Sequence, residues 1–279
     1  MASLLEPARF LPQQALSLHW PDFLIEAFAL GLFMISASVV TTLLEYPGAL
    51  LNHLVASADV RLGLIGVSMG GTAVALIYSP WGRRSGAHMN PSVTLAFLSL
   101  ERISPVNALF YIAAQFAGGY AGVLLSRILL GAPFAAPPVR YIATLPGPAG
   151  APAAFAAEFA ISFVMMFTIL MISNEARWSR YTGLAAGALI SGYVFFESPL
   201  SGFSMNPARS FASALPAHLW TGQWIYFTAP VMAMWLAARA FHVLVPEPER
   251  LHHLAKIVPA TQTRISSKQI LENRNADRR

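Results

Sequence analysis

The sequence predicts an all-α membrane protein with six transmembrane helices and two re-entrant half-helices, arranged as an inverted repeat. Three observations predict it. Of 279 residues, 56% are hydrophobic and only 11% charged, far from the balance of a soluble domain. Several apolar runs reach the ~18 residues that signal a bilayer-crossing helix. A short segment built around Asn-Pro occurs twice, once in each half of the chain.

Taken in order, the spans are expected at 22–44, 61–79, 104–129, 154–173, 181–197 and 221–245. Residues 1–21 carry Pro7 and Pro12 without the continuous apolar core of a cleaved signal peptide. They read as a cytoplasmic N-terminal segment, the first span itself directing insertion. Between the third and fourth spans, 131–153 contains Pro133, Pro137, Pro138, Pro146, Pro148 and Pro152 and cannot continue a helix. After Pro246-Glu247-Pro248 the composition turns polar and basic, so 246–279 reads as a basic cytoplasmic tail. The membrane domain is then 22–245, with halves at 22–130 and 154–245.

Orientation follows from the basic residues. With both termini inside, Arg9, Arg83, Arg84, Arg102, Arg177, Arg180 and the basic tail are cytoplasmic, and only Arg61, Arg127 and Arg140 face outward, as the positive-inside rule requires. The net charge of +5 is thus a matter of topology and not a nucleic-acid footprint. Absence of cysteine removes disulfides, thiolate metal sites and thiol nucleophiles together.

Two segments do not fit a plain six-span count. Ser85-Gly86-Ala87-His88-Met89-Asn90-Pro91-Ser92-Val93-Thr94-Leu95-Ala96 and Ser201-Gly202-Phe203-Ser204-Met205-Asn206-Pro207-Ala208-Arg209-Ser210-Phe211-Ala212 are each too short to cross. Aligned on Asn-Pro they agree at Ser, Gly, Met, Asn, Pro and the final Ala, an internal repeat. Glu26 and Glu158 sit at equivalent places upstream. Three spans per half is an odd number, so the halves must have opposite orientation, an architecture common among membrane transport proteins.

Asn is a favoured helix N-cap and Pro fits the first helical turn, so each segment starts a short helix. The non-helical stretch before it must be buried in protein or line a watery cavity. Opposed half-helices bring their positive N-terminal ends together near the midplane, with the side-chain amides of Asn90 and Asn206 as donors. Arg209, one turn after Asn206, is a costly charge at membrane depth unless it serves a water-filled path. The Gly-Gly pairs at 70–71 and 118–119 read as close helix contacts, and His88 as a packed or pore-lining histidine.

On these residues the chain resembles the aquaporin, or major intrinsic protein, family over roughly 20–245. The resemblance implies a bundle of six helices and two half-helices, a homotetramer with one pore per subunit, no cofactor and no metal. It implies a passive channel for water and small uncharged solutes in a lipid bilayer, excluding ions and protons, with glycerol, urea or metalloid acids as candidate solutes. Asn90, Pro91, Ser92, Asn206, Pro207 and Ala208 match the family's paired motifs, with Ser92 where the first copy normally has alanine, a replacement also found among nodulin-like intrinsic proteins. Glu26 and Glu158 match the buried glutamates that hold the re-entrant loops. Counting back from the two asparagines carries the family's selectivity filter onto Gly70 and Val194, and the second loop adds Phe203 and Arg209. Strict water channels resemble one another in an aromatic at the first position and a histidine at the second; neither is present. Phe203 matches glycerol facilitators, whereas Ser210 and Ala214 follow the water-channel pattern. The expected location is a cell membrane, as a multi-pass protein of the bacterial inner membrane with both termini cytoplasmic.

The rival readings are a strict water channel with an unusual filter, an ion-coupled secondary transporter, and an enzyme. No His-Glu-x-x-His, serine elbow or Gly-rich phosphate loop supports the last, and no catalytic residue is assigned. The transporter would need a substrate-linked charge besides Arg209.

Overall fold

The computed structural model describes residues 12–245, with side chains from His19 onward. The expected tail lies outside those residues, as does most of the expected N-terminal segment. Among the described residues there are twelve α-helices: α1 (Pro12–Glu45), α2 (Leu50–Leu54), α3 (Ala58–Tyr78), α4 (Pro80–Ser85), α5 (Pro91–Ser99), α6 (Pro105–Leu130), α7 (Ala132–Ala135), α8 (Gly150–Asn174), α9 (Thr182–Phe196), α10 (Ser198–Ser201), α11 (Pro207–Ala217) and α12 (Gln223–Leu244).

Four helix starts follow one recipe, a polar cap followed by proline. The Ser79, Asn90, Ser104 and Asn206 side chains cap α4, α5, α6 and α11, each with proline in the first turn. There the missing N–H costs nothing and φ is already helical. The first helix begins at Pro12 and not near 22, because Gln13, Gln14, Ala15 and Leu16 are helix formers and Pro21 is carried inside the helix. Segment 131–153 is irregular as expected, apart from α7, a 3₁₀ turn at Arg140–Ile142 and the early start of α8 at Gly150.

Among the described residues five helices are long and apolar enough to cross a membrane: His19–Glu45 of α1, then α3, α6, α8 and α12. The fifth expected span, α9, has 15 residues, about 22 Å of helix at ~1.5 Å per residue, and is prolonged by the 3₁₀ turn Ser179–Tyr181 before it and α10 after it. Its place in the bundle is that of a crossing helix, since it packs along α3 and against α8.

The packing has internal symmetry. Exchanging α1 with α8, α3 with α9, α4 with α10, α5 with α11 and α6 with α12 turns the principal contacts into one another. The α1–α6, α1–α3, α1–α4 and α5–α6 pairs become α8–α12, α8–α9, α8–α10 and α11–α12, while α3–α9 and α5–α11 map onto themselves. Each half-helix also packs against the other half's last long helix, α5 on α12 and α11 on α6. That is the inverted repeat.

Two close approaches hold the bundle together. A Cβ on Gly118 would lie 2.0 Å from the Ala27 carbonyl oxygen, so α1 and α6 touch backbone to backbone there. A Cβ on Gly70 would lie 2.3 Å from the Gly187 oxygen and 2.1 Å from Ser191 Oγ, which places Gly70 in the α3–α9 crossing. Small residues at such crossings let membrane helices gain packing that lipid cannot replace. The polarity of the bundle is inverted relative to a soluble protein: Ile128, Phe196 and Val243 are largely exposed, while Glu26, Glu158, Gln115, Ser92 and Thr94 have no exposed surface. Apolar outer faces of this kind suit a hydrocarbon surrounding.

Candidate functional site

The two Asn-Pro segments meet at the centre of the bundle, where the N-terminal ends of α5 and α11 are in contact. Each asparagine does two things. Asn90 Oδ1 accepts from the Ser92 N–H at 2.8 Å, capping α5, and Asn206 Oδ1 accepts from the N–H groups of Ala208 and Arg209 at 3.0 and 3.2 Å, capping α11. Asn90 Nδ2 donates to the Met205 carbonyl and Asn206 Nδ2 to the Met89 carbonyl, both at 2.7 Å. The halves are therefore stapled reciprocally. A side-chain amide has two N–H donors, so each asparagine keeps one hydrogen beyond its staple for whatever passes.

Behind each segment stands a buried glutamate. Glu26 accepts from Ser85 Oγ at 2.8 Å, the His88 N–H at 3.0 Å, the Met89 N–H at 2.6 Å and Gln115 Nε2 at 2.8 Å. Glu158 accepts from Ser201 Oγ at 2.8 Å, the Ser204 N–H at 2.7 Å and the Met205 N–H at 2.8 Å. The two sets are the same positions of the repeat, except that Pro230 in the second half stands where the first has Gln115. Tyr111 and Tyr226, also equivalent, donate their hydroxyls to the Ser85 and Ser201 carbonyls.

These bonds hold a backbone that would not persist alone. Ala87 and Met89 have φ of 48° and 49°, and their counterparts Phe203 and Met205 both have 53°, with Gly86 at 89° and Gly202 at 81°. Left-handed conformations cost a side-chain-bearing residue ~1–3 kcal/mol. Both methionines are fixed on two sides, their N–H donated to a glutamate and their carbonyl accepting from the opposite asparagine.

Arg209 follows its cap into the first turn of α11. Its Nη1 is buried and has no hydrogen-bond partner among the described residues. Phe203, on the second segment, and Val194, on α9, are buried. His88 is packed, stacked on Phe97 with centroids 4.8 Å apart and with Nδ1 3.1 Å from Thr94 Oγ1. Pro91, Pro207 and Ala208 are buried in the first turns of their half-helices. Ser92 fits the place of the usual alanine with its Oγ buried and unpaired.

Gly70, which the count from Asn90 carries into the filter, lies in the α3–α9 crossing. A side chain at 70 would run into the α9 backbone, so this glycine serves the close helix contact that the Gly-Gly pair also suggests. Several supporting residues were not singled out from the sequence. Ser85, Ser201, Tyr111, Tyr226 and Gln115 complete the glutamate networks. Thr144 joins the 131–153 loop to α11 through Ser210 Oγ at 2.7 Å, and Gln223 Nε2 donates to the Thr144 carbonyl at 2.8 Å. The doubling of Ser-Gly before each Asn-Pro was a signal for the first two; Thr144 and Gln223 had none, being unique to one half.

Known proteins agree with this architecture. The sequence pattern of the family described as "Major intrinsic protein" matches residues 14–241. Aquaporin NIP2-3 of Zea mays is 33% identical over 205 residues, 73% of this chain and 66% of that protein. Aquaporin NIP2-2 of Zea mays is 32% identical over 228 residues, 81% of this chain and 74% of that protein. Among solved structures, the aquaglyceroporin from Plasmodium falciparum superposes with a TM-score of 0.71 at 18% identity, covering 84% of this chain and 99% of that one. That likeness speaks to the fold.

Proposed function

The chain belongs to the major intrinsic protein family and is a multi-pass membrane channel for water and small solutes, and on that premise we propose which solutes pass and what stops the rest. The observation that carries the proposal is the reciprocal staple of Asn90 and Asn206 at the meeting point of two helix N-termini. Water and neutral solutes are met there by the side-chain amides of Asn90 and Asn206. A cation or a relayed proton meets two positive helix ends and Arg209, the device by which aquaporin-type pores as a class exclude them. We read the pore as passive and assign it no catalytic step.

The proposed solutes beyond water are small neutral polyols, urea and undissociated metalloid acids. A neutral hydroxylated molecule must replace its lost hydration while its carbon side slides along an apolar wall. Arg209 supplies donors, Phe203 and Val194 the wall, and no aromatic–histidine pair narrows the opening. A charged solute receives no comparable compensation for desolvation. The names of the plant relatives, all of one aquaporin type, and of the aquaglyceroporin neighbour support this reading. Both termini cytoplasmic and a homotetrameric assembly, each pore complete within one chain, belong to the same proposal. The plant relatives lend no support to the bacterial inner membrane expected from the sequence, and the location is left at a multi-pass membrane.

The test is a set of permeabilities in proteoliposomes: water by osmotic shrinkage, then glycerol, urea and boric acid uptake, with an imposed pH gradient monitored in parallel. Fast water and at least one fast solute with the gradient intact is the expected result. Water flux with no solute above empty vesicles would leave a strict water channel, and a collapsing gradient would remove the exclusion mechanism.

A further inference from the structure

Counting back from Asn90 carries the α3 filter position onto Gly70, and the helix packing favours its neighbour. At about 100° per residue, Val60, Leu64, Val67 and Gly71 fall on one stripe of α3, and all four are exposed. Gly66 and Gly70 fall on the side facing α9, where Cβ atoms would meet the Ser191 and Gly187 oxygens at 2.6 and 2.3 Å. Thr72 marks the opposite flank, its Oγ1 2.8 Å from Ser36 Oγ on α1. The remaining side of the helix, away from the exposed stripe and between α1 and α9, is the one turned to the bundle interior. Met69 lies on it and is 4% exposed.

Its height is also right. A Cβ at Gly66 would sit 3.4 Å from Val194 Cβ, so Val194 is level with the Ile65–Gly66 turn of α3. Helical side chains lean toward the N-terminus and cover the preceding turn, so Met69 reaches back to the level of Val194. We infer that Met69, and not Gly70, is the α3 residue that sets the width of the constriction, facing the ring made by Val194, Phe203 and Arg209. The inference rests on the channel reading above.

It changes the character of the filter. A glycine there would leave the opening wide and fixed, whereas methionine fills space with an unbranched, polarizable chain that has three rotatable bonds. The wall on this side is then apolar and adaptable, yielding to solutes of different shape while offering them no hydrogen bond. Gly70 contributes indirectly, by letting α3 and α9 close behind it.

The test compares neighbouring positions in the full-length protein in vesicles. Met69→Ala should raise glycerol and urea flux relative to water, and Met69→Trp should lower that ratio about tenfold, a barrier change of ~1.4 kcal/mol. Gly70→Ala should lower water and solute fluxes together, with the amount of folded protein, and leave their ratio unchanged. Because the chain has no cysteine, Met69→Cys gives a second readout: a small methanethiosulfonate reagent should block water flux through it. Gly70→Cys, if it folds, should be insensitive. Solute-to-water ratios unmoved by both Met69 substitutions, together with an unreactive Met69→Cys channel that still conducts water, would overturn the assignment. Should the native channel pass water alone, the solute reading fails separately, and solute entry through Met69→Ala would still support Met69.

Discussion

Glu158→Leu should abolish conduction by releasing the second re-entrant segment. The glutamate has no exposed surface and is the acceptor for the Ser204 and Met205 N–H groups and for Ser201 Oγ. Leucine leaves those two backbone donors without a partner in a site that water does not reach. Each costs ~1–3 kcal/mol, so the loss is about 2–6 kcal/mol before the serine is counted. Phe203 and Met205, both at φ 53°, then lose what holds them there, and the Met205 carbonyl that anchors Asn90 is no longer placed. Glu158→Gln should be milder, because one oxygen still accepts from Ser201 and Ser204 and only the Met205 N–H faces an amide. The assay is osmotic shrinkage of proteoliposomes normalised to incorporated protein, beside the thermal midpoint in detergent. Wild-type water permeability per molecule and an unchanged midpoint for Glu158→Leu would refute the reasoning.

Asn206→Ala should lower both water permeability and the thermal midpoint, since it uncaps α11 at a cost of ~0.5–2 kcal/mol and cuts the staple to Met89; values equal to wild type would count against the staple. Gly118→Val should fold poorly, because its Cβ would lie 2.0 Å from the Ala27 oxygen, whereas Gly71→Ala, with nothing within 4 Å, should be neutral. Comparison of detergent-resistant yields checks both. Single cysteines at Arg180 and Ala136 should be labelled from opposite sides of a sealed vesicle, and labelling of both from the same side would refute the proposed topology.

The long helices were legible because their signal is redundant, an apolar run with a capped start. The six expected spans lie on α1, α3, α6, α8, α9 and α12, with the largest boundary shift at the start of α1, which begins at Pro12 and not near 22. The half-helices were legible because Asn-Pro is a local instruction that occurs twice. The side that each α3 residue presents was not legible, because spacing from Asn90 assumes a fixed rotation of α3 relative to the first segment. That rotation is set by the Gly70–Gly187 contact with a helix more than a hundred residues away, which a count along the chain cannot register. Thr144 and Gln223 escaped for a related reason: each is a single polar residue in a poorly patterned stretch, and only the fold brings them to α11.

The arrangement of bonds also explains why the repeat must be folded as a whole. Each glutamate supports its own half's segment, Glu26 the first and Glu158 the second, so each loop could in principle be shaped within its half. The asparagines do the reverse, donating across to the other half's methionine carbonyl, and each half-helix lies on the other half's last long helix. Neither half alone can satisfy its asparagine donor, its methionine carbonyl or the apolar face of its half-helix. In a bilayer such groups find no water to replace the missing partner. The centre of the pore is therefore also the joint at which the two halves become one structure. Substitutions that spare one half's local fold, such as Asn90→Ala, should still loosen the segment of the other by freeing the Met205 carbonyl. Slower amide exchange at Met205 in the wild type than in Asn90→Ala would show that coupling, and equal exchange would show that each half keeps its segment unaided.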